Sequence, residues 1–293
     1  MRRNLDRLLR DTIAPPPGMP AVDFSAPAGA PALFAPDSVT WRVMKNPVAL
    51  MVGGIAGVIL ELAEPRVRTG VWEHSTFRRD PAGRIRRTGY ATMMTIYGPV
   101  DAARAMAANV SRRHTRIGGK TPAGIAYRAD DDELLAWVHA TAAFGFLEAY
   151  CRFVRPLSDA ERDQFYDEGA IAADLFGVRA PPHTVRQVDA LFEAMRPKLQ
   201  CSAIVFEFLS LLKQATLLPT LARPFQRVAI RAAIEITPVW ARDILGLSTK
   251  LLPLGGHTAL RAFGAAAERV VLETAPPARA CVRLGLPANY LYG

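Results

Sequence analysis

The sequence predicts an all-α fold: a single globular multi-helix domain packed around a central pocket and preceded by an extended arm. Alanine and leucine are abundant, while runs of β-branched and aromatic residues are scarce, which favours helices over sheets. Residues that start and stop helices recur along the chain, and no strand-like alternation of apolar and polar residues extends beyond a few positions. The 293 residues allow one large domain, which we place at residues 38–293.

The N-terminal arm, residues 1–37, is predicted from composition. Residues 14–37 (APPPGMPAVDFSAPAGAPALFAPD) are rich in proline, alanine and glycine, which is typical of an extended segment. Residues 1–10 are charged and lack the apolar core of a secretory leader. The most hydrophobic stretch, residues 48–62, is shorter than the roughly 20 residues that a membrane span needs. We therefore expect a cytoplasmic protein without a transmembrane span, for which a peripheral membrane contact is conceivable.

Local capping signals place the helices in order. Ser38 can cap the first helix, Asn46-Pro47 opens a helix over 48–63, and Asp80-Pro81 precedes one over 82–97. Gly98, Gly118-Gly119, the three aspartates 130–132, and the pairs Ser158/Glu161 and Thr184/Gln187 delimit the following ones. Further helices are predicted over 99–116, 133–153, 159–175, 185–198, 203–220 and 258–274, and two more begin at Pro224 and Pro238. The proline-punctuated tail from Ala275 is predicted to be irregular.

Charge and cysteine usage leave several classes open and exclude others. The formal net charge is +9, mostly from arginine, which is compatible with nucleic acid, anionic membrane or acidic ligands, or with scattered surface charges. The three cysteines, Cys151, Cys201 and Cys281, are far apart and form no CxxC pair, so we expect reduced, buried thiols, with Cys201 in the core. The sequence contains no glycine-rich phosphate loop, no GxSxG and no HExxH; Gly53-Gly54 is better explained by helix packing.

Two of the five histidines lie on apolar helix faces. In the helix 99–116, Met106, Ala107, Val110 and His114 share one face at three- and four-residue spacing. An imidazole among small apolar residues fits an iron ligand that faces a flat macrocycle, and it equally fits a core histidine bonded to a carbonyl. His139 has the same two interpretations, since it lies on the apolar face of the helix 133–150 with small neighbours.

The segment RIRRT, residues 84–88, offers a possible anion site. On a helix, Arg84 and Thr88 stack on one face and Arg87 lies beside it. A buried arginine is costly unless it meets an anion, such as a propionate, a substrate carboxylate or a bound oxygen species. The alternative is a solvated basic face, because arginines are dense over residues 66–87; that density is also the best argument for nucleic-acid binding.

Three ordered segments, VWEHSTFRRDPAGRIRRTGYATMMTIYG, NVSRRHTRIGGKTPAG and DDDELLAWVHATAAFGFLEAY, resemble the MpaB/latex-clearing-protein (rubber oxygenase) family, and TPVWARDILGL adds to the match. The resemblance covers about residues 43–247. It implies an all-helical fold around a haem b and an oxygenase that uses dioxygen on a hydrophobic, alkene or isoprenoid-like substrate. Two alternatives stay open: a non-catalytic haem-binding or lipid-binding helical protein, and a basic nucleic-acid-associated helical protein.

The resemblance also implies roles for individual residues. His114 takes the place of the proximal iron ligand, and the family motif R-x-x-K-T falls on Arg84, Arg87 and Thr88. Arginine at position 87 replaces a lysine that can bind the iron in the family's closed state. Because arginine stays protonated, it is a poor iron ligand, so that closed state should be absent here. A substrate other than polyisoprene is therefore expected. Glu73 is the candidate for the family's catalytic base. His139 lies in the third segment, where it could face the haem or bond to a ligand.

Overall fold

Helices form almost all of the regular structure in the computed structural model, which describes residues 15–217, 223–248 and 252–292. In chain order they are α1 (Val39–Met44), α2 (Pro47–Glu61), α3 (Pro65–His74), α4 (Pro81–Tyr97), α5 (Val100–His114), α6 (Asp132–Phe153), α7 (Asp159–Leu175), α8 (Val185–Met195), α9 (Ala203–Gln214), α10 (Arg223–Ile236), α11 (Val239–Leu245), α12 (Gly256–Ala267) and α13 (Pro276–Arg283). The predicted all-α class is confirmed.

The antiparallel helices α2 and α6 form the centre of the fold. A Cβ atom built on Gly53 would lie 2.6 Å from the carbonyl oxygen of Gly145, and one built on Gly145 would lie 2.2 Å from the oxygen of Gly53. A Cβ on Gly57 would likewise meet Ala142, at 3.1 Å. Glycine is therefore needed here because the two backbones touch, and the packing interpretation of Gly53-Gly54 holds for Gly53. Glu61 lies one turn beyond Gly57 in α2. Because the two helices are antiparallel, this end of α2 is directed toward the N-terminal half of α6.

Capping residues start several helices where the sequence predicts them. The Asn46 side chain accepts from Val48 N at 3.0 Å, and Asp80 accepts from Gly83 N at 2.8 Å. Ser158 and Glu161 form the predicted capping box of α7. Because these bonds join residues two or three positions apart, the local sequence is sufficient to locate them.

Three elements were not predicted. Helix α3 begins at Pro65, with Glu64 as its N-cap accepting from Val67 N at 2.8 Å. The pair Gly118-Gly119 belongs to a two-stranded antiparallel hairpin, β1 (Gly118–Lys120) with β2 (Ala126–Arg128). The strands are only three residues long, too short for alternation to reveal them. The tail is not irregular: α13 starts on two prolines, which suit the first turn of a helix, and a 3-10 turn follows at Tyr290–Tyr292.

Three predicted helices are too long at their C-terminal ends. The helix predicted over 185–198 ends at Met195, and the residues that follow, with Pro197, form a 3-10 turn. The helix predicted over 203–220 ends at Gln214; the last part of that prediction, 218–220, lies outside the described residues. The helix predicted over 258–274 ends at Ala267.

The arm is extended but packs on the helical body. Residues 15–37 contain no helix or strand, as predicted, whereas 1–14 lie outside the described residues. Phe24 and Phe34 of the arm are buried in the main core. The cysteines are free, but only Cys281 is buried; Cys201 is exposed, which corrects its predicted place in the core.

In the part of the chain that the structure describes, one helix, α6, is long and apolar enough to cross a membrane by length and composition alone. Helices α2 and α3 would pass the same test as a pair, but a bend of 111° separates them. A central helix of a helical domain meets these criteria too, and α6 buries Trp137, Tyr150 and Phe153 completely.

Candidate active site

His114 is the last residue of α5 and lies on the face that the sequence predicts to be buried. Ala103, Met106 and Ala107 on this face are buried, and His114 itself is half-buried. Among the residues that the structure describes, the His114 Nδ1 atom is buried without a hydrogen-bond partner, and so is the hydroxyl of Ser111 one turn earlier. A buried polar atom without a partner costs free energy, so the C-terminal end of α5 leaves two polar atoms without hydrogen bonds.

The surroundings of His114 favour its neutral form. Burial lowers the pKa of His114, the Arg84 guanidinium lowers it further, and Asp130 opposes both. A neutral imidazole keeps a lone pair that can bind a metal ion. The interaction also shows that Arg84, on α4, lies close enough to act on His114.

Arg84 forms the second part of the site. Its Nη1 donates to the Thr88 hydroxyl at 2.7 Å, so the two residues stacked by the helical spacing are in contact. Burial lowers the pKa of Arg84, the Glu61 carboxylate opposes this, and Arg87 adds to the lowering. The guanidinium remains a half-buried cation with donors available for an anionic group.

Glu61, at the C-terminal end of α2, is the residue that the sequence interpretation missed. Burial raises its pKa from the ordinary value of 4.5 to about 7, although the Arg84 guanidinium acts in the opposite direction. A carboxyl group with such a pKa can take or give a proton near neutrality, as catalytic carboxylates do. The available signal was a single acidic residue at the end of an otherwise apolar helix.

Glu73 and Arg87 lie in other surroundings. Glu73 is exposed and accepts a hydrogen bond from the Tyr127 hydroxyl at 3.2 Å. Arg87 donates to the Thr76 hydroxyl at 2.6 Å and forms an ion pair with Asp80 at 3.4 Å. The structure thus puts Thr88 in contact with Arg84 and puts Arg84 within electrostatic range of His114 and Glu61, while Arg87 turns toward the turn before α4.

His139 lies between α6 and α7. A Cβ atom built on Gly169 of α7 would lie 3.8 Å from its Cε1 atom. Burial lowers the pKa of His139 to about 4, and its Nε2 atom has no hydrogen-bond partner in the described parts of the chain. His139 is therefore a second neutral, buried imidazole, inward as the helical spacing predicts.

The side chains of this site suit a metal ion that a cofactor already coordinates in most positions. Within residues 15–217, 223–248 and 252–292, no three His, Cys, Asp or Glu side chains are grouped to hold a metal ion. A haem supplies four ligands from its macrocycle and takes one or two from the protein. His114, neutral and with an unpartnered buried nitrogen, fits the role of such a protein ligand, and a nearby cation such as Arg84 suits a propionate or a bound oxygen.

Two cavities of the structure lie away from these residues. One, of about 550 Å³, is lined by residues that include Arg152, Glu235 and His257; the other, of about 420 Å³, is lined by Trp72, Glu73 and neighbouring residues. Neither is lined by His114, Arg84 or Glu61.

Much of the basic stretch over residues 66–87 is already engaged within the fold. Arg66 pairs with Glu64 and Glu133, Arg68 donates to backbone carbonyls, and Arg78 pairs with Glu207. Part of the basic stretch is thus engaged within the fold, while the Arg78 side chain stays 58% exposed.

The fold and site define an all-helical protein with a neutral histidine, a half-buried arginine and a carboxyl group of raised pKa near one another. The family model described as "ER-bound oxygenase mpaB/B'/Rubber oxygenase, catalytic domain" matches residues 41–269. The chain belongs to this oxygenase family, as its three sequence segments predict, and the family indicates an oxidoreductase. No curated protein and no solved structure matches the chain.

Proposed function

We propose that this protein is a haem b-dependent oxygenase that uses dioxygen on a hydrophobic alkene or isoprenoid-like substrate, with His114 as the proximal iron ligand. The observation that carries the proposal is the unpartnered Nδ1 atom of His114 beside Arg84, in a chain of an oxygenase family. A metal bound to one ring nitrogen of this neutral imidazole would use its lone pair. When bound, the haem supplies the activation of dioxygen.

Arg84 acts as a hydrogen-bond donor, and Thr88 positions it, because the Thr88 hydroxyl donates to the Arg84 carbonyl at 3.0 Å. Their contact, 2.7 Å between Nη1 and Oγ1, holds the guanidinium and hydroxyl on one face of α4. In a partly desolvated site, such donors stabilise negative charge that develops on oxygen. The same cation can instead hold a propionate, and both roles need the charge that Arg84 retains.

Glu61 is the proton acceptor in this proposal, in the place that the resemblance implies for Glu73. With a pKa of about 7, Glu61 is roughly half ionised at neutral pH, where a general base works best. It would accept a proton from an allylic carbon of the substrate. Glu73, bonded to Tyr127 and exposed, is less suited to removing a proton from an apolar molecule.

The substrate is expected to contact the helices that surround Arg84. Helix α9, which is apolar, packs against α4, and Val58 and Ile85 are partly buried apolar residues beside the acidic and basic groups. We propose an apolar substrate other than polyisoprene, because Arg87 replaces the iron-binding lysine and bonds to Thr76 and Asp80.

A visible spectrum tests the haem assignment. The purified protein supplied with haem is expected to show a Soret band that His114→Ala abolishes. His139→Ala is the matched control, since it also removes a neutral imidazole with an unpartnered nitrogen, and it should retain the band. A protein that takes up no haem, or a His114→Ala variant that binds it as the parent does, would contradict the proposal.

Oxygen consumption tests the activity. Squalene, an isoprenoid alkene, should be consumed with dioxygen, whereas its saturated analogue squalane should not. Glu61→Gln should lower the rate by about 10²- to 10⁴-fold, the usual contribution of a general base, and Glu73→Gln should leave it nearly unchanged. Equal losses in both variants would refute the assignment to Glu61, and haem without oxygen consumption with any alkene would favour a non-catalytic haem-binding protein.

A further inference from the structure

The N-terminal strap, defined as residues 20–34, touches both helices that carry the proposed site. On α4, the Tyr90 hydroxyl donates to the Pro20 carbonyl at 3.0 Å and accepts from Val22 N at 2.9 Å. The Phe24 ring meets the Tyr90 ring edge-on, with centroids 6.2 Å apart. The Tyr90 side chain of α4 thus holds the strap through both its hydroxyl group and its ring.

On α5, the strap supplies the N-terminal cap. Val100, the first residue of this helix, donates its N–H to the carbonyl of Pro31 at 2.9 Å, and the residue in the N-cap position, Pro99, offers no side-chain hydrogen bond. The first N–H groups of a helix have no partner within the helix. The strap therefore satisfies one of them and fixes where α5 begins.

Helix α13 holds the strap from the other side. The buried Arg283 donates to the carbonyls of Phe24 at 2.6 Å and Ala30 at 2.9 Å, and its own carbonyl accepts from Gly29 N at 2.7 Å. Arg279 forms an ion pair with Asp23 at 3.0 Å. Since α13 also packs against α4, the strap, α13 and α4 form one connected frame.

We propose that Tyr90 is a positioning residue: through the strap it fixes α4 against the start of α5, and so places Arg84 relative to His114. This inference rests on the proposed function. Tyr90 lies on the face of α4 that also buries Met94 and Tyr97, about 140° around the helix from the face of Arg84 and Thr88. It therefore acts on the site through the helix rather than by contact.

The lengths of the two helices explain why a distant hold matters. Arg84 is six residues from Tyr90, or about 9 Å along the axis, while His114 is fourteen residues from Val100, or about 21 Å. A tilt of α5 by about 5° at the strap would move His114 by roughly 2 Å. Misplacements of about 1 Å at a reacting centre can cost on the order of 100-fold in rate.

The test compares two tyrosine variants of α4. Tyr90→Phe removes the hydroxyl that binds the strap. Tyr97→Phe instead removes a buried hydroxyl of the same helix that donates to the Trp41 carbonyl at 2.7 Å and makes no hydrogen bond to the strap. Each change deletes one oxygen. Asp23→Ala, at the exposed ion pair with Arg279, loosens the strap without altering the core and replaces Tyr90→Phe if that variant does not fold.

Two readouts are needed, on the full chain. In the haem-free protein, Tyr90→Phe should raise hydrogen exchange at least about 10-fold in the strap and in both the first and last turns of α5, and Tyr97→Phe should not. With haem supplied, Tyr90→Phe should raise the haem dissociation constant about 5- to 10-fold relative to Tyr97→Phe.

The haem affinity and the hydrogen exchange together test the positioning role, and unchanged exchange in Tyr90→Phe contradicts it. If the parent binds haem and the strap opens without any change in haem affinity, or if both tyrosine variants weaken haem equally, the positioning role is wrong. If the parent binds no haem, the proposed function fails, and exchange in the last turn of α5 then decides the inference: faster exchange in Tyr90→Phe alone supports it, and unchanged exchange refutes it.

Discussion

Replacing Glu61 by glutamine should make the folded protein more stable above neutral pH. Its pKa rises from 4.5 to about 7 in the folded chain because the carboxyl group is buried. Each pKa unit corresponds to about 1.4 kcal/mol, so ionising Glu61 costs the folded state about 3 kcal/mol. The folded chain holds this proton more tightly than the unfolded chain, and the resulting stability is complete below about pH 4.5 and is lost as the pH rises through about 7.

Glutamine resembles the protonated carboxyl group and does not titrate. Glu61→Gln should therefore match the parent near pH 4 and exceed its free energy of unfolding by about 2–3 kcal/mol near pH 8, after some allowance for solvent screening. Urea unfolding followed by circular dichroism at several pH values, on the haem-free protein, measures the difference. The exposed Glu73→Gln is the control, expected within about 0.5 kcal/mol as for most surface changes. A Glu61→Gln advantage that does not grow with pH would refute the assignment of a buried, proton-holding carboxyl group.

Three further variants test the site and the crossing of α2 and α6. Arg84→Gln removes the cation that lowers the pKa of both Glu61 and His114, so both pKa values should rise; nuclear magnetic resonance titration of the His114 ring in the haem-free protein measures one of them, and an unchanged value would mean that the residues do not interact. Gly145→Ala would put a methyl group 2.2 Å from a carbonyl oxygen of α2 and should cost about 1–3 kcal/mol or more in urea unfolding. Gly89→Ala, with nothing within 4 Å of the added carbon, should instead stabilise α4 by about 0.5–1 kcal/mol, and equal effects would contradict the close crossing.

The parts of the fold that the sequence predicts are those set by neighbouring residues. The caps at Asn46, Asp80 and Ser158 bond to backbone groups two or three positions away, so each can be located from a few letters. Helix α3 and the hairpin could not be located from neighbouring residues, for two different reasons. Pro65 is as compatible with a helix end as with a first turn, and strands of three residues carry no period.

In the candidate site, too, the sequence predicts the relations within one helix and misses those between helices. The helical spacing is enough to place Arg84 with Thr88 and to turn His114 inward, because each of these relations lies within one helix. It could not find Glu61, since the residue that acts on it, Arg84, lies 23 positions further along the chain on another helix. It likewise missed the strap, whose bond to Val100 comes from the Pro31 carbonyl, a group that every residue has.

The positions of the three charged or titratable groups within their helices suggest why the site is unsatisfied as it stands. Glu61 is the last residue of α2, at the helix end with partial negative charge, and Arg84 is the fourth residue of α4, at the end with partial positive charge. Each ionised group therefore meets a dipole end of its own sign as well as burial, so the fold favours a protonated Glu61. His114 is the exception, because the C-terminal end of α5 favours its cation while burial and Arg84 oppose it. A neutral imidazole at this helix end keeps a lone pair that a metal ion can bind, which supports the proposal that His114 is the iron ligand.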